Sequence, residues 1–165
     1  MDQLTETDHQ LDPIRRLRIL AAALPDTAIV ERLLDAPYDA VWAIAGDLEG
    51  GVQRFEGSVT HAKITARHGE RLALLSYGRF GPAIRFEVLL RPGWCWMQSR
   101  LLIVGMAALR EDDQTRFAHL EGTRLPGGRL VRPLIRRKMR HELDIIEQLA
   151  QAPCGPRSTH CGPAK

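Results

Sequence analysis

The sequence predicts an α+β fold in which a curved antiparallel sheet of about seven strands wraps around one long C-terminal helix. Three observations predict it: a series of strand-like runs joined by short turn signals, an early stretch that passes from strand through proline to helix, and a C-terminal segment with helical apolar periodicity. Short connections favour antiparallel hairpins, and a long amphipathic helix must bury its apolar face against the sheet.

The first element is a leader over residues 1–26. Its polar start is followed by IRRLRILAAAL, a helical pattern that ends before Pro25. We expect this N-terminal extension to be partly helical and dispensable for folding, because it offers the sheet no apolar stripe comparable to that of the last helix. The domain itself is then predicted over residues 27–151, and a flexible tail over 152–165.

The stretch after the leader predicts a strand and two short helices. TAIVERLL at 27–34 is rich in β-forming residues, and after Pro37 apolar residues at helical spacing run up to Gly46. The helices would cross from the first strand to the rest of the sheet. Trp42 is expected to be largely buried there and to close one end of the space between sheet and helix.

Six further strand-like runs lie between residues 52 and 123, separated by turn signals. All nine aromatic residues fall between residues 38 and 117, which places the large core side chains in this region. A final helical pattern over residues 129–151 repeats apolar side chains every three or four positions. These are Val131, Leu134, Ile135, Met139, Leu143, Ile146 and Leu149.

Composition supports one globular domain, since 165 residues with 44% hydrophobic content suffice for a core. The longest apolar run, LLIVGMAAL at 101–109, is about half the roughly 20 residues that a membrane-spanning helix needs. The first ten residues are acidic and polar, unlike the start of a secretory signal. We therefore expect a cytoplasmic protein.

The phrase DAPYDAVWAIAGDLEG, followed by hairpins and a terminal helix, resembles the START-like, or SRPBCC, superfamily, which includes polyketide cyclases and aromatases, lipid-transfer domains and the birch pollen allergen. The resemblance covers residues 27–150 and rests chiefly on Ala36, Pro37, Val41, Trp42 and Asp47. It implies a helix-grip fold with a cavity between sheet and last helix, suited to apolar or amphipathic small molecules. It implies no particular reaction, because members share a cavity and not a chemistry.

Side chains at alternate strand positions are expected to line this cavity. Sequence parity leaves open which face turns inward, because a bulge or a register shift of one residue inverts it. Ordinary core packing is the simpler interpretation for each aromatic residue. The residues that we expect to bind ligand are Trp42, Phe86, Val88, Trp94, Trp96, Met106, Phe117, His119, Leu134, Arg137 and Lys138.

Catalytic signals are sparse, since the sequence carries no GxSxG, HExxH, P-loop or placed GxGxxG motif. His119 shares a strand face with Phe117 and Glu121, which makes it the candidate acid or base, although a hydrogen-bonded or exposed histidine is the simpler interpretation. Arg85, Glu87 and Arg100 are further polar candidates without an evident partner.

Neither a metal nor a cofactor is expected. Cys154 and Cys161 flank His160 at a spacing that matches no zinc site, and they lie in a tail rich in proline and glycine. A disulfide framework is equally unexpected, because Cys95 falls in a predicted strand.

Residues 124–140, RLPGGRLVRPLIRRKMR, carry seven basic residues and no acidic one, although the whole chain is only +3. A solvated helix face, an anionic membrane surface, or the anionic end of a ligand would each suit this charge. Nucleic acid is disfavoured, because no aromatic residue is interleaved to stack on bases. Helix geometry lets at most two of Arg136, Arg137, Lys138 and Arg140 line a cavity mouth.

Three functions therefore remain open. The first is binding or transport of a hydrophobic or amphipathic small molecule, and the second is an enzyme of the polyketide cyclase, aromatase or dehydratase type. The third is a module that binds a macromolecule through the basic start of the last helix. The sequence does not determine the oligomeric state.

Overall fold

The computed structural model describes residues 11–79 and 81–152. The predicted tail beyond residue 152, with its two cysteines, lies outside the described residues. The elements in chain order are α1 (Pro13–Ala23), β1 (Thr27–Leu34), α2 (Tyr38–Ala45), α3 (Val52–Phe55), β2 (Val59–His68), β3 (Arg71–Gly78), β4 (Ile84–Arg91), β5 (Trp94–Gln98), β6 (Leu102–Glu111), β7 (Gln114–Thr123) and α4 (Gly128–Gln151).

The seven strands form one antiparallel sheet in the order β1-β7-β6-β5-β4-β3-β2. Every neighbouring pair except β1 and β7 is consecutive in the chain, so α2 and α3 carry the chain from one edge of the sheet to the other. The sheet curves around α4, which packs on the inner face against β1, β7, α2 and α3. The predicted α+β helix-grip architecture is confirmed.

The crossover helix α2 begins directly after Pro37, a residue that suits a helix start because the first N–H groups have no intrahelical partner. Val41 is fully buried in the core, whereas Trp42 is only partly buried at its margin. The indole lies over Gly46, where a Cβ would come within 2.9 Å of its Nε1. Most of the indole surface is nevertheless covered, as expected, because Trp42 packs against the core cluster from its margin.

The leader helix α1 packs on the outer face of the sheet, against β6, β7 and β1. Ile14 and Leu17, one turn apart, are buried in a second apolar cluster that includes Trp94. Gly105 permits the close approach, since a Cβ there would lie 2.7 Å from Leu17 Cδ1. The segment thus docks on the sheet through a short apolar stripe of two fully buried side chains, and its dispensability for folding stays a prediction. The domain boundary at residue 26 stays a prediction.

The long helix α4 divides into two halves. It begins after Gly127, whose φ of +92° is a left-handed conformation that glycine adopts without strain. The second half buries Met139, Leu143 and Ile146 against the sheet. The first half leaves Leu130 87% exposed. Only the second half therefore fills the inner face, and the first half stands over open space.

Candidate functional site

A cavity of about 370 Å³ lies between the inner face of the sheet and the first half of α4. Its size falls at the lower end of the roughly 300–1,000 Å³ typical of small-molecule pockets. Most of the wall is apolar and comes from α3, the strands β2 to β7 and α4. Its apolar lining includes Val52, Phe55, Leu74, Phe86, Met97 and Met106.

One part of the wall is charged. We use the name charged cluster for Glu56, His119, Glu121, Lys138 and Glu142. The first four line the cavity, and Glu142 is buried against His119 and Lys138. Strand alternation places His119 and Glu121 on the inner face of β7, and the four-residue helical spacing places Lys138 beside Glu142 on α4.

Lys138 joins the three carboxyl groups of the cluster. Its Nζ donates to both carboxylate oxygens of Glu121, at 2.9 and 3.0 Å, and also to Glu56. It lies 2.9 Å from Oε1 of Glu142. Burial acts to lower the pKa of Lys138, but the three carboxylates outweigh it and raise that pKa above its ordinary value. The ammonium therefore stays charged, with the carboxyl groups of Glu56, Glu121 and Glu142 around it.

Glu56 is held in its ionised form by its neighbours. Burial acts to raise its pKa, but the charge and hydrogen bond of Lys138 outweigh burial and hold the pKa at about 2. Ser58 contributes as well, because its hydroxyl donates to Oε1 of Glu56 at 2.6 Å and its backbone N–H donates to the same oxygen at 3.1 Å. Glu56 is thus ionised throughout the physiological range.

His119 is only 2% exposed and lies between two carboxyl groups. Its Nδ1 is 3.3 Å from Oε2 of Glu142, and its Nε2 is 3.6 Å from Oε1 of Glu121. Burial acts to lower the pKa of His119, but its contacts with Glu142 and Glu121 outweigh burial and raise the pKa. Burial also raises the pKa of Glu121. Because both pKa values are raised, His119 and Glu121 together tend to retain a proton.

Some polar atoms of the cluster lack a hydrogen-bond partner in the described part of the chain. These are Nδ1 of His119 and both carboxylate oxygens of Glu142, whose ion-pair contacts fall short of hydrogen-bond geometry. Such groups are costly to bury and are uncommon in folded proteins. These atoms are therefore suited to exchange a proton or to form hydrogen bonds with water.

His119, Glu121 and Glu142 also place ligand atoms within 4.8 Å of one another, a spacing that a metal ion would accept. The ammonium of Lys138, however, lies 2.9 Å from both Glu121 and Glu142. The lysine thus supplies a positive charge at the place where a metal would supply one. The donor set is better described as the surroundings of a lysine than as a metal centre.

Comparison with known protein families finds no match to this sequence, and comparison with curated proteins finds none either. Solved structures do match. A START superfamily protein from Mycobacterium smegmatis is 15% identical with a TM-score of 0.59, and the match covers 75% of this chain and 96% of that one. The chain has the START-like, or SRPBCC, fold. The resemblance predicted from the sequence is thus confirmed for the fold.

Two further matches to the START-like fold carry an activity in their names. The Zhui aromatase/cyclase from Streptomyces sp. R1128 is 16% identical with a TM-score of 0.53, over 75% of this chain and 93% of that one. The di-domain ARO/CYC StfQ from the steffimycin biosynthetic pathway is 15% identical with a TM-score of 0.59, over 74% of this chain and 44% of that one. Identities this low establish a shared fold and leave function to the site.

Within the START-like fold, the predicted site residues fall into three groups. The first group lies on the inner side of the sheet or helix, and within it Phe86, Met106, His119 and Lys138 line the cavity. Val88 and Phe117 face the same side of the sheet but are packed into the core beside the cavity. The shared face of His119 with Phe117 and Glu121 is as the alternation predicts.

Trp94 and Trp96 form the second group, and the structure corrects their placement. They stack on each other on the outer face, where Arg16 of α1 covers Trp94. The reason is register: Cys95 pairs with Met106, and both point inward, so the two tryptophans on either side of Cys95 point outward. Strand alternation was correct, but the sequence could not identify the inner face.

Trp42, Leu134 and Arg137 form the third group and do not line the cavity. On α4 the inward row is Val131, Ile135 and Lys138, so Leu134 and Arg137 are rotated towards solvent. Leu134 is 69% exposed. Of the basic residues in the helix start, Lys138 is the one that reaches the cavity, and carboxylates surround it.

Sequence reasoning missed Glu56 and Glu142. Glu142 had a signal, because it stands four residues after Lys138 on a helix, a spacing that brings opposite charges together. Glu56 had none, since it meets Lys138 across 82 residues of chain.

None of the described helices is long and apolar enough to cross a membrane.

Proposed function

We propose that the protein binds a hydrophobic small molecule in the cavity between the sheet and α4. The observation that carries this proposal is the cavity itself, about 370 Å³ with walls that are mainly apolar. Burial of roughly 300 Å² of apolar ligand surface would contribute about 7 kcal/mol before the cost of association, so the expected affinity is weaker than about 10 μM. The shared fold with START-superfamily and aromatase/cyclase structures supports the same function.

Two alanines of the β2–β3 hairpin provide a matched test. Ala62 lines the cavity, and Ala73 lies on the opposite face of the sheet. Calorimetric titration with methylnaphthalene should show binding to the wild type and to Ala73→Leu. Ala62→Leu fills part of the cavity and should weaken binding by about tenfold or more. Equal affinity for all three proteins, or no binding of any apolar probe to the wild type, would refute the proposal.

An enzyme of the cyclase, aromatase or dehydratase type is the second candidate. The observation that favours it is His119, a buried imidazole that faces an apolar cavity with Glu142 at 3.3 Å from Nδ1. A histidine held by a carboxylate is a common general acid or base. His119→Gln would then abolish turnover of a linear poly-β-keto thioester, measured by mass spectrometry as loss of water, without weakening the binding of methylnaphthalene. Unchanged turnover in that variant would exclude His119.

The start of α4 supports an additional role, peripheral contact with an anionic membrane. Leu130 and Leu134 are exposed beside the cavity, and Arg129, Arg136 and Arg137 stand among them. Exposed leucines would enter the interface, and each arginine near an anionic surface adds about 1 kcal/mol. Co-sedimentation with vesicles of phosphatidylserine and phosphatidylcholine should exceed that with phosphatidylcholine alone. The double change Leu130→Ser and Leu134→Ser should reduce it, and equal sedimentation with both vesicles would rule the contact out.

A further inference from the structure

The polar part of the cavity wall points to a chemical class of ligand. Resting on the proposed binding of a small molecule, we infer that the cavity selects ligands whose polar end donates hydrogen bonds, a hydroxyl or an ammonium, and discriminates against carboxylates. This is the reverse of what the arginine-rich helix start suggests from sequence.

The charge balance of the cluster is the first argument. Three carboxyl groups face one ammonium and one imidazole, so the cluster carries an excess of negative charge when all five groups are ionised. With His119 neutral the excess is larger. Since the cluster lies against an apolar cavity, where charges are poorly screened, a second carboxylate from a ligand would be repelled.

The supply of donors is the second argument. Among the residues that the structure describes, Lys138 is the one lysine or arginine that lines the cavity. Its Nζ already donates to Glu56 and to both oxygens of Glu121 and lies 2.9 Å from Glu142. A ligand carboxylate would have to displace Glu56 or Glu121 to gain a hydrogen bond from Lys138. Arg136 and Arg137, which could have served an anion, do not line the cavity.

The supply of acceptors is the third argument. Glu56 and Glu121 both line the cavity, and a carboxylate oxygen accepts up to two hydrogen bonds. Oε1 of Glu56 already accepts two from Ser58, whereas each oxygen of Glu121 accepts one from Lys138 and has capacity for another. A donor at the end of an apolar ligand therefore finds a partner without breaking a contact of Lys138. Hydrogen bonds to ionised groups are also stronger than those between neutral groups.

Four naphthalenes that differ only in one substituent test the inference: methyl, hydroxymethyl, aminomethyl and carboxylate at the same ring position. Calorimetric titration of the full-length protein at neutral pH gives each affinity. We expect the hydroxymethyl and aminomethyl probes to bind about tenfold more tightly than the carboxylate probe, the gain typical of one hydrogen bond to a charged group. A carboxylate probe that binds as tightly as either donor probe would overturn the inference.

Two variants locate the effect. Glu121→Gln removes one carboxylate with little change of shape and should narrow the difference between aminomethyl and carboxylate probes severalfold. Arg137→Gln, an exposed change outside the cavity, should leave all four affinities unchanged; a selective loss of carboxylate binding in it would overturn the inference. Circular dichroism of each variant establishes that it is folded.

The methylnaphthalene titration separates the inference from the proposed function. If methylnaphthalene fails to bind, the cavity does not bind apolar molecules and the proposed function fails. If it binds while the carboxylate probe binds more tightly than the donors, the proposed function stands and the inference on donor selectivity fails.

Discussion

The two faces of the sheet are built from the same strands but differ in packing: the outer face is filled, and the inner face borders a cavity. On the outer face, Trp94 and Trp96 pack under α1 with Leu17, and that apolar cluster includes seven buried residues. On the inner face, β7 carries His119 and Glu121, which line the cavity under α4. Large aromatic side chains fill the space under one helix, while charged and flexible ones leave space under the other.

The difference teaches where stability and ligand binding reside. The second half of α4 anchors the inner face through Met139, Leu143 and Ile146, all fully buried. The first half adds little burial and forms one wall of the cavity. We therefore expect stability to depend on the outer helix and on one half of the inner helix, and the proposed ligand to contact the other half.

The largest effect is expected in the anchoring half of α4. Leu143→Ala should lower the free energy of unfolding by about 3–5 kcal/mol, because a fully buried leucine leaves a cavity when truncated. Guanidinium denaturation followed by circular dichroism measures the change. Leu130→Ala on the same helix is the control, and its 87% exposure predicts a change near zero. Similar losses in both variants would mean that α4 is not divided as described.

The second largest loss of stability is expected on the outer face of the sheet. Leu17→Ala should cost about 2–4 kcal/mol, because Leu17 is fully buried against Gly105 and the rest of the outer cluster. Thermal denaturation of this variant beside Ile19→Ala, at a position that is 51% exposed on the same helix, measures the difference. An unchanged melting temperature for Leu17→Ala would show that α1 contributes nothing to the fold.

The charged cluster should add a smaller, pH-dependent contribution. The pKa of Glu56 falls from 4.5 to about 2 in the folded chain, so its ionised form stabilises the fold above about pH 4.5, and this stability is lost as the pH falls towards 2. We expect about 2 kcal/mol, since the 38% exposure of Lys138 allows some solvent screening. Denaturant curves of the wild type and Glu56→Gln should differ near pH 7 and converge near pH 2. A difference that does not shrink with acid would contradict the ion pair.

The smallest effect is expected at the cavity wall. Val131→Ala should change stability by less than about 1 kcal/mol, because Val131 is half-exposed and borders space that is already open. The same change enlarges the cavity, so the free energy of methylnaphthalene binding should change more than the free energy of unfolding does. A loss of stability close to that of Leu143→Ala would mean that the first half of α4 is tightly packed.

The sequence predicted the elements well because strand alternation and helical periodicity are local signals. The strand over Thr27–Leu34, the hairpins and the last helix all follow from such patterns. Which face of the sheet packs against α4 could not be predicted, because alternation divides a strand into two faces without showing which one is inside. Trp94 and His119 are both expected inside from sequence, but only His119 lines the cavity. The docking of α1 depended on a glycine in a distant strand, which no local pattern reveals.

The candidate site was predictable only in part, for the same reason. His119 and Lys138 stood out by residue type and by the faces of their elements. Their partners come from other parts of the chain: Glu56 follows α3, and its contact with Lys138 exists only once the sheet and helix have closed. The sequence leaves open whether the basic helix start meets solvent, a membrane or the anionic end of a ligand, and it does not reveal the carboxylates that surround Lys138.

The pairing of β1 with β7 has a consequence for how the chain folds. Thr27 lies opposite Gly122, so the first strand finds its partner only after six other strands exist. Contacts of such long sequence separation slow folding, because a large loop must close before they form. During synthesis on a ribosome, β1 would wait with unpaired backbone groups until β7 has emerged from the exit tunnel. Hydrogen exchange should accordingly protect the hairpins of β2 to β6 before it protects the amides of β1.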